Sequence, residues 1–329
     1  MSVRLVFPKT LLEMQRMFPD EKAAAAYLRA VRWPDGFECR RCGWQGDPYL
    51  FEHRPTVLRC RKCQHDTSLT SDTVMKDTRT PLLVWFWAAY LVTTQTPGES
   101  ALQFQRQLGL RRYETAFQIL HKLRAAMVRP DINRIGSNWP VEVDETCVGG
   151  KTRGEGRGIH HKAMVIGAVE VRTKAEKGGK RPMYAGRLRL RVIKDRGAQA
   201  LEAFVLGSVE PHSHIVTDGW VGYDGLNALG YHHKPVVLGG DPEKAEEALP
   251  MIHLVFSNLK AWILGTHHGV SSRHLQAYLN EFVFRFNRRF YPMTAFNSVL
   301  GLASRGEAPT YEALYDGKWA HPNQDDRCL

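Results

Sequence analysis

Four cysteines stand as two matched pairs, Cys39-x2-Cys42 and Cys60-x2-Cys63, with seventeen residues between the pairs. Thiolates at this spacing are the donors of a tetrahedral Zn²⁺ site in which each CxxC turn supplies two ligands. Turn-forming and basic residues surround them: Arg40, Arg41 and Gly43, then Arg59, Arg61 and Lys62. With all four ligands drawn from the chain, the site is expected to be closed and structural, its binding energy folding a segment too small to hold a core. Cys147 is expected to be a small buried residue and Cys328 a thiol of the tail. The second chemical group is a pair of carboxylates, Asp144 in VEVDETCVGGK and Asp218 at the end of HIVTD. Like charges brought within a few ångströms repel, and divalent cations remove that problem. Oxygen ligands bind Mg²⁺ or Mn²⁺, and two such ions activate an attacking oxygen and stabilise a leaving one.

Bringing the two aspartates together requires a particular order of elements. Strands are expected over the VEVDETCV run, over Ala163–Val171 and over Leu188–Lys194, with a Gly-, Lys-, Arg- and His-rich loop from Gly150 to Lys162 between the first two. A helix over Gly197–Leu206, a strand over His214–Asp218, a helix over Trp220–Leu229, a strand at Val236–Leu238 and a long helix over Leu249–Leu264 follow. Three strands, helix, strand, helix, strand, helix is the plan of an α/β, ribonuclease H-like domain. There the first and fourth strands are neighbours in a mixed sheet. Side chains alternate along a strand, so Glu142 shares the face of Asp144, while Val143 and Glu145 point away.

Upstream, helical periodicity begins at Thr80-Pro81 and runs through Leu82, Trp85, Phe86, Ala89 and Tyr90 to a break at Thr96-Pro97-Gly98. A short helix from Ser100 to Leu108 ends at Gly109, and a longer one spans Arg111–Val128. Three helices with a short Gly-containing turn before the last suit a helix-turn-helix-like module. Its Arg106, Arg111, Arg112, Lys122, Arg124 and Arg129 are expected to face solvent and meet phosphates. The segment Pro130–Pro140 has the composition of a linker. The expected organisation is a helical segment at 1–30, a zinc ribbon at 31–75, the helix-turn-helix-like module at 80–130, a catalytic domain at 138–295 and a peripheral tail at 296–329.

Composition narrows the partners. The 329 residues carry 45 Lys plus Arg against 34 Asp plus Glu, a formal net charge of +11. A balance this basic favours a polyanion such as nucleic acid. At 43% hydrophobic and 24% charged residues, wholesale disorder is excluded. No run of eighteen apolar residues exists and MSVRLVFPKT lacks a signal-peptide core, so no membrane partner and a cytoplasmic location are expected.

Three segments, VEVDETCVGGK, VTDGWVGY and SNLKAWILGTHHGVSSRHLQAYLNEFVFRFNRR, resemble the IS1595 (ISXO2-like) family of bacterial insertion-sequence transposases, and the cysteine pairs before them fit the same family. The resemblance spans residues 15 to 295. It implies a DDE-type transposase, nucleoid-associated in a bacterium, that binds the terminal inverted repeats of its element and cleaves and transfers DNA strands with Mg²⁺ or Mn²⁺. Assembly of both ends implies a homodimer or larger oligomer on double-stranded DNA. Asp144 matches the first catalytic acid and Asp218 the second.

In that family the third residue precedes a lysine by two helical turns and is Glu in many members, Asn or His in others. Counting seven back from Lys260 gives His253, and Asn258 is the other polar candidate. At 100° per residue His253, Ser257 and Lys260 fall within about 60° of one another, whereas Asn258 lies about 140° from His253. Ile252, Val255, Phe256, Leu259 and Ile263 then form the buried stripe, and His253 is the expected third residue. Imidazole suits Mn²⁺ better than the harder Mg²⁺; His253 could ligate an ion, or hold a water or the scissile phosphate. Lys260 is a phosphate anchor by charge. The tail of the third segment, with Leu275, Tyr278, Leu279, Phe282 and Phe286, reads as a helix packed on the sheet, its basic end, Arg288 and Arg289, on DNA. The alternative class is a non-catalytic, sequence-specific DNA-binding protein derived from a transposase, with a metal-dependent nuclease as a distant third.

Overall fold

The computed structural model describes residues 6–128, 133–149, 162–174, 182–236, 247–306 and 309–316. The chain divides into two compact units, Met1–Arg129 with Arg288–Trp319, and Pro130–Asn287 with Ala320–Leu329.

In the first unit, α1 (Leu11–Met17) and α2 (Glu21–Arg32) are capped by Thr10 and Asp20, whose side chains accept from Glu13 N and Ala23 N. A three-stranded antiparallel sheet follows, β1 (Tyr49–Leu50), β2 (Val57–Arg59) and β3 (Asp66–Ser68). Next come α3 (Leu82–Thr94), α4 (Ala101–Gln107, capped by Ser100) and α5 (Tyr113–Ala126). Proline at the α3 N-cap offers no side-chain oxygen, and the carboxylate of Glu21 fills that role from α2, accepting from Leu82 N at 2.7 Å and Leu83 N at 3.1 Å.

The tail expected at 296–329 is not peripheral where it is described. Helix α9 (Pro292–Ala303) buries Ala295, Phe296, Val299, Leu300 and Ala303. The Phe296 ring lies 6.0 Å from those of Phe18 and Phe86 and 6.2 Å from that of Tyr90, the aromatic centre of this unit. The short α10 (Tyr311–Tyr315) closes the described part.

The second unit is built on a five-stranded mixed sheet of order β6-β5-β4-β7-β8. Its strands are β4 (Val141–Val148), β5 (Ala163–Thr173), β6 (Met183–Ile193), β7 (His214–Thr217) and β8 (His232–Pro235). The pairs β4–β5 and β5–β6 are antiparallel, β4–β7 and β7–β8 parallel. Helix α6 (Ala198–Ser208) packs on one face with Val141, Val143, Ile166, Ala168 and Ile215. Helices α7 (Pro250–His267) and α8 (Leu275–Phe286) cover the other face with Val165, Val169, Leu188 and Leu190. The exposed edge of β6 is closed by side chains of and just beyond α8: Gln276 Oε1 accepts from Val192 N and Asn287 Oδ1 from Leu188 N.

Three expectations change here. Trp220–Leu229 forms a 3₁₀ turn at Val221–Leu226 rather than an α-helix. Two glycines, Gly222 and Gly225, weaken the helix there, and a Cβ at Gly222 would stand 2.9 Å from the Arg196 carbonyl. The strand expected at Val236–Leu238 lies earlier, as β8; Val237 and Leu238 are outside the described residues. The linker expected at Pro130–Pro140 is packed where described: Ile135 is fully buried, bridges Val209, and pairs its N–H with Ser208 O. Cys147 is half-buried, and the loop at 150–161, Arg129 and Cys328 lie outside the described residues.

Candidate functional site

The CxxC turns are built alike. Gly43 N donates to Cys39 O and Gln64 N to Cys60 O, and each turn ends in the left-handed region, Gly43 at φ 65° and Gln64 at φ 60°. Cys39 Sγ lies 3.6 Å from Cys63 Sγ, and Cys42 Sγ 3.7 Å from Cys60 Sγ. All four sulfurs lie within 4.8 Å of one another. A tetrahedron with Zn–S bonds of about 2.3 Å sets its sulfurs about 3.8 Å apart, so the four thiols fit such an ion.

The carboxylates meet between the parallel neighbours β4 and β7, Asp144 midway along β4 and Asp218 one residue beyond the end of β7. Oxygens of Asp144, Asp218 and Glu145 lie within 4.8 Å of one another. An all-oxygen donor set of this kind suits a hard divalent cation. Strand alternation holds on β4: Val141 and Val143 enter the α6 core, while Glu142 and Asp144 face α7. Glu145 obeys that parity, since the Tyr223 hydroxyl donates to its Oε2 at 2.6 Å, and yet its carboxylate joins the cluster. That approach was missed from sequence, because parity gives a direction and not the reach of a long side chain.

Arg196 ties the cluster together. Its Nε donates to Glu145 Oε1, its Nη2 stands 3.8 Å from Asp218 Oδ2, and its guanidinium lies 4.4 Å from the Trp220 ring centre. Trp220 in turn donates Nε1 to Arg196 O, and its backbone N–H donates to Asp218 Oδ1 at 3.0 Å. Burial raises the Glu145 carboxyl against the bonds from Tyr223 and Arg196. Burial, then the neighbouring Glu145 carboxylate, holds the Tyr223 phenol protonated far above its ordinary range.

From the opposite side α7 presents His253, whose Nε2 is 3.1 Å from Asp144 Oδ2; a carboxylate oxygen accepts, so this nitrogen donates. Ile252, Val255, Phe256, Leu259 and Ile263 are all buried beneath it, and Asn258 is exposed. The helix lies close to the sheet at Gly167, the β5 partner of Asp144: a Cβ there would lie 2.9 Å from Ile252 Cδ1. Glu142, 4% exposed, accepts from Met251 N and Ile252 N, both at 2.8 Å. Burial pushes its carboxyl up to about 7 against those two bonds.

Comparison with known proteins matches two segments of the chain. Residues 137–287 match the model of the ISXO2-like transposase domain, and residues 19–66 that of a transposase zinc-ribbon domain. Both matched domains are those of the IS1595 family. It is also similar, at 24% identity over 290 residues, to an uncharacterised protein in transposable element ISH50 of Halobacterium salinarum, covering 82% of this chain and 92% of that one. No solved structure matches it.

In this ISXO2-like chain Lys260 is exposed two turns beyond His253 on α7. Of the basic residues expected to meet DNA, Arg111 and Arg112 are exposed, at the turn before α5. Lys122 is half-buried and donates to Lys76 O at 3.3 Å. Arg288 and Arg289 are half-buried, with the Arg289 guanidinium 4.5 Å from the Phe290 ring. Arg124 is a correction: it is fully buried on the inner face of α5, where no phosphate reaches it. Its neighbours Leu120 and Leu123 are buried with it, and on a helix wrapped this far round by its unit the charge of a residue does not decide its side. Among the described residues no helix is long and apolar enough to cross a membrane.

Proposed function

We propose that this chain is a working insertion-sequence transposase that binds the terminal inverted repeats of its element and cuts and joins DNA strands at Asp144, Asp218 and His253. The observation that carries this reading is the meeting of Asp144, on β4, and Asp218, just after the adjacent parallel strand β7, with His253 within hydrogen-bond reach of Asp144. A mixed sheet with helices on both faces supports a ribonuclease H-like catalytic domain.

In the proposed reaction a water oxygen attacks phosphorus at the element end, the bond to the 3′ oxygen breaks, and that oxygen leaves as a 3′-OH after taking a proton. The freed 3′-OH then attacks a target phosphodiester, losing its proton as a target 3′ oxygen leaves. Mg²⁺ or Mn²⁺ held by Asp144 and Asp218 would supply charge stabilisation to the attacking and leaving oxygens. His253, donating from Nε2, holds the Asp144 carboxylate in one orientation, and Lys260 anchors a neighbouring phosphate. Zn²⁺ on Cys39, Cys42, Cys60 and Cys63 would fold the ribbon, which with α4, its turn and α5 forms the proposed repeat-binding region. Arg111, Arg112, Lys122, Arg288 and Arg289 are the proposed phosphate contacts, and a dimer or larger assembly pairs the two element ends.

The test is cleavage of a labelled duplex carrying the element's terminal repeat, with Mg²⁺ or Mn²⁺, by the wild type, Asp144→Ala and His253→Ala. Metal-dependent nicking at the repeat end, lost in both variants, is the expected result. Binding of the duplex without cleavage in either metal overturns the catalytic reading in favour of a DNA-binding descendant of a transposase.

A further inference from the structure

Helix α7 carries His253 on its first turn, where His253 N donates to Leu249 O at 3.2 Å. Leu249 at the N-cap gives no side-chain bond, and Pro250 at the first helical position has no N–H to offer. The first two free N–H groups belong to Met251 and Ile252, and both donate to one oxygen, Oε2 of Glu142, at 2.8 Å. That oxygen comes from β4, 109 residues earlier in the chain. Two residues further along the same face of β4 stands Asp144, and one residue further along α7 stands His253, joined at 3.1 Å. The strand therefore grips the helix at two consecutive points. Gly167, beside Asp144 on β5, lets the helix lie close enough for both grips to close.

We infer that Glu142 is a positioning residue, whose hold on the Met251 and Ile252 N–H groups sets the separation between Asp144 and His253. This rests on the reading of His253 as a working site residue. A cap that served stability alone would be indifferent to which strand supplied it. This one comes from the strand that carries the first aspartate, so any change in its length moves His253 relative to that aspartate.

The experiment uses the full-length zinc-loaded protein with Glu142→Asp, Glu142→Gln, Glu142→Ala, His253→Ala and the double variant Glu142→Ala/His253→Ala. Mn²⁺ affinity is read by titration, cleavage as separate kcat and KM, and folded fraction by thermal melting. Glu142→Asp keeps the charge and shortens the side chain by one methylene, so it is expected to fold while losing about tenfold in kcat and in Mn²⁺ affinity, the scale seen for residues that orient metal ligands. KM for the duplex is expected to stay unchanged. Glu142→Gln keeps an acceptor oxygen at full length and is expected to recover most of what alanine loses. In the His253→Ala background, Glu142→Ala is expected to cost nothing more in Mn²⁺ affinity, the quantity still readable where cleavage is lost.

Multiplying losses in the double variant, or a Glu142→Asp protein that binds Mn²⁺ and cleaves as the wild type does, overturns the inference and leaves the proposed function standing. Wild-type cleavage by His253→Ala overturns the reading of His253 and this inference with it. Should Glu142→Ala not fold, the aspartate and glutamine variants decide the matter alone.

Discussion

His253 Nε2 and Asp144 Oδ2 lie 3.1 Å apart, joining helix α7 to strand β4 across 109 residues of chain. On the proposed reading the contact puts a nitrogen donor where a third carboxylate would otherwise stand, and the local charge is one negative unit lower for it. Metal preference should follow. His253→Glu restores an acid, and its cleavage is expected to shift from favouring Mn²⁺ towards Mg²⁺, as oxygen donors suit the harder ion. Rates measured in each metal separately give the ratio; an unchanged ratio removes His253 from the metal environment.

The approach of α7 to the sheet depends on the missing side chain at Gly167. A Cβ there would meet Ile252 Cδ1 and Leu190 Cδ2 at 2.9 Å and Phe256 Cε1 at 3.0 Å. Gly167→Ala is therefore expected to cost about 1–3 kcal/mol, typical of overpacking. It should also lower cleavage more than the loss of folded protein explains, because the helix it displaces carries His253. Denaturant melts beside single-turnover rates separate the two effects.

Glu142 makes stability depend on pH. Its carboxyl is raised from 4.5 to about 7 in the folded chain, so between those values the folded state keeps a proton that the unfolded state releases. Stability from this group is full below about pH 4.5 and is lost as pH rises towards 7, by an amount on the order of 3 kcal/mol. Glu142→Gln should flatten that part of the profile in unfolding measured without added divalent cation. An equally steep fall in the glutamine variant would assign the slope to another group.

Removal of zinc should unfold the ribbon. Its three strands have two or three residues each and bury few apolar side chains, Leu58 among them, so a metal on the four thiols would supply much of the folding energy. Cys60→Ser is expected to release the bound zinc, seen by elemental analysis, and to speed amide exchange across Tyr49–Ser68. Full protection of those amides without metal would show that the ribbon folds on its own contacts.

Phe296 is fully buried among Phe18, Phe86 and Tyr90. Phe296→Ala should cost about 3–5 kcal/mol, the usual scale for deleting a buried aromatic ring. A melt within about 0.5 kcal/mol of the wild type, as for a surface change, would return the helix from residue 296 onward to the status of a tail.

What the sequence determined by itself was whatever repeats along the chain at short range. The two CxxC turns are local: each closes through one backbone bond and a left-handed residue four positions on. Alternation placed Glu142 with Asp144, and the 3.6-residue period placed Ile252, Val255, Phe256, Leu259 and Ile263 inside α7, because both patterns are one-dimensional records of which side is apolar. The tertiary structure decided what depends on neighbours far along the chain. Only the packed sheet brings the Glu145 carboxylate to the aspartates, ties it to Arg196, and hands the first turn of α7 to a glutamate 109 residues away. Arg124 and Phe296 make the same point. Each reads as surface or tail by composition and is buried because other segments close over it, and burial is a property of the whole unit that no single stretch of residues encodes.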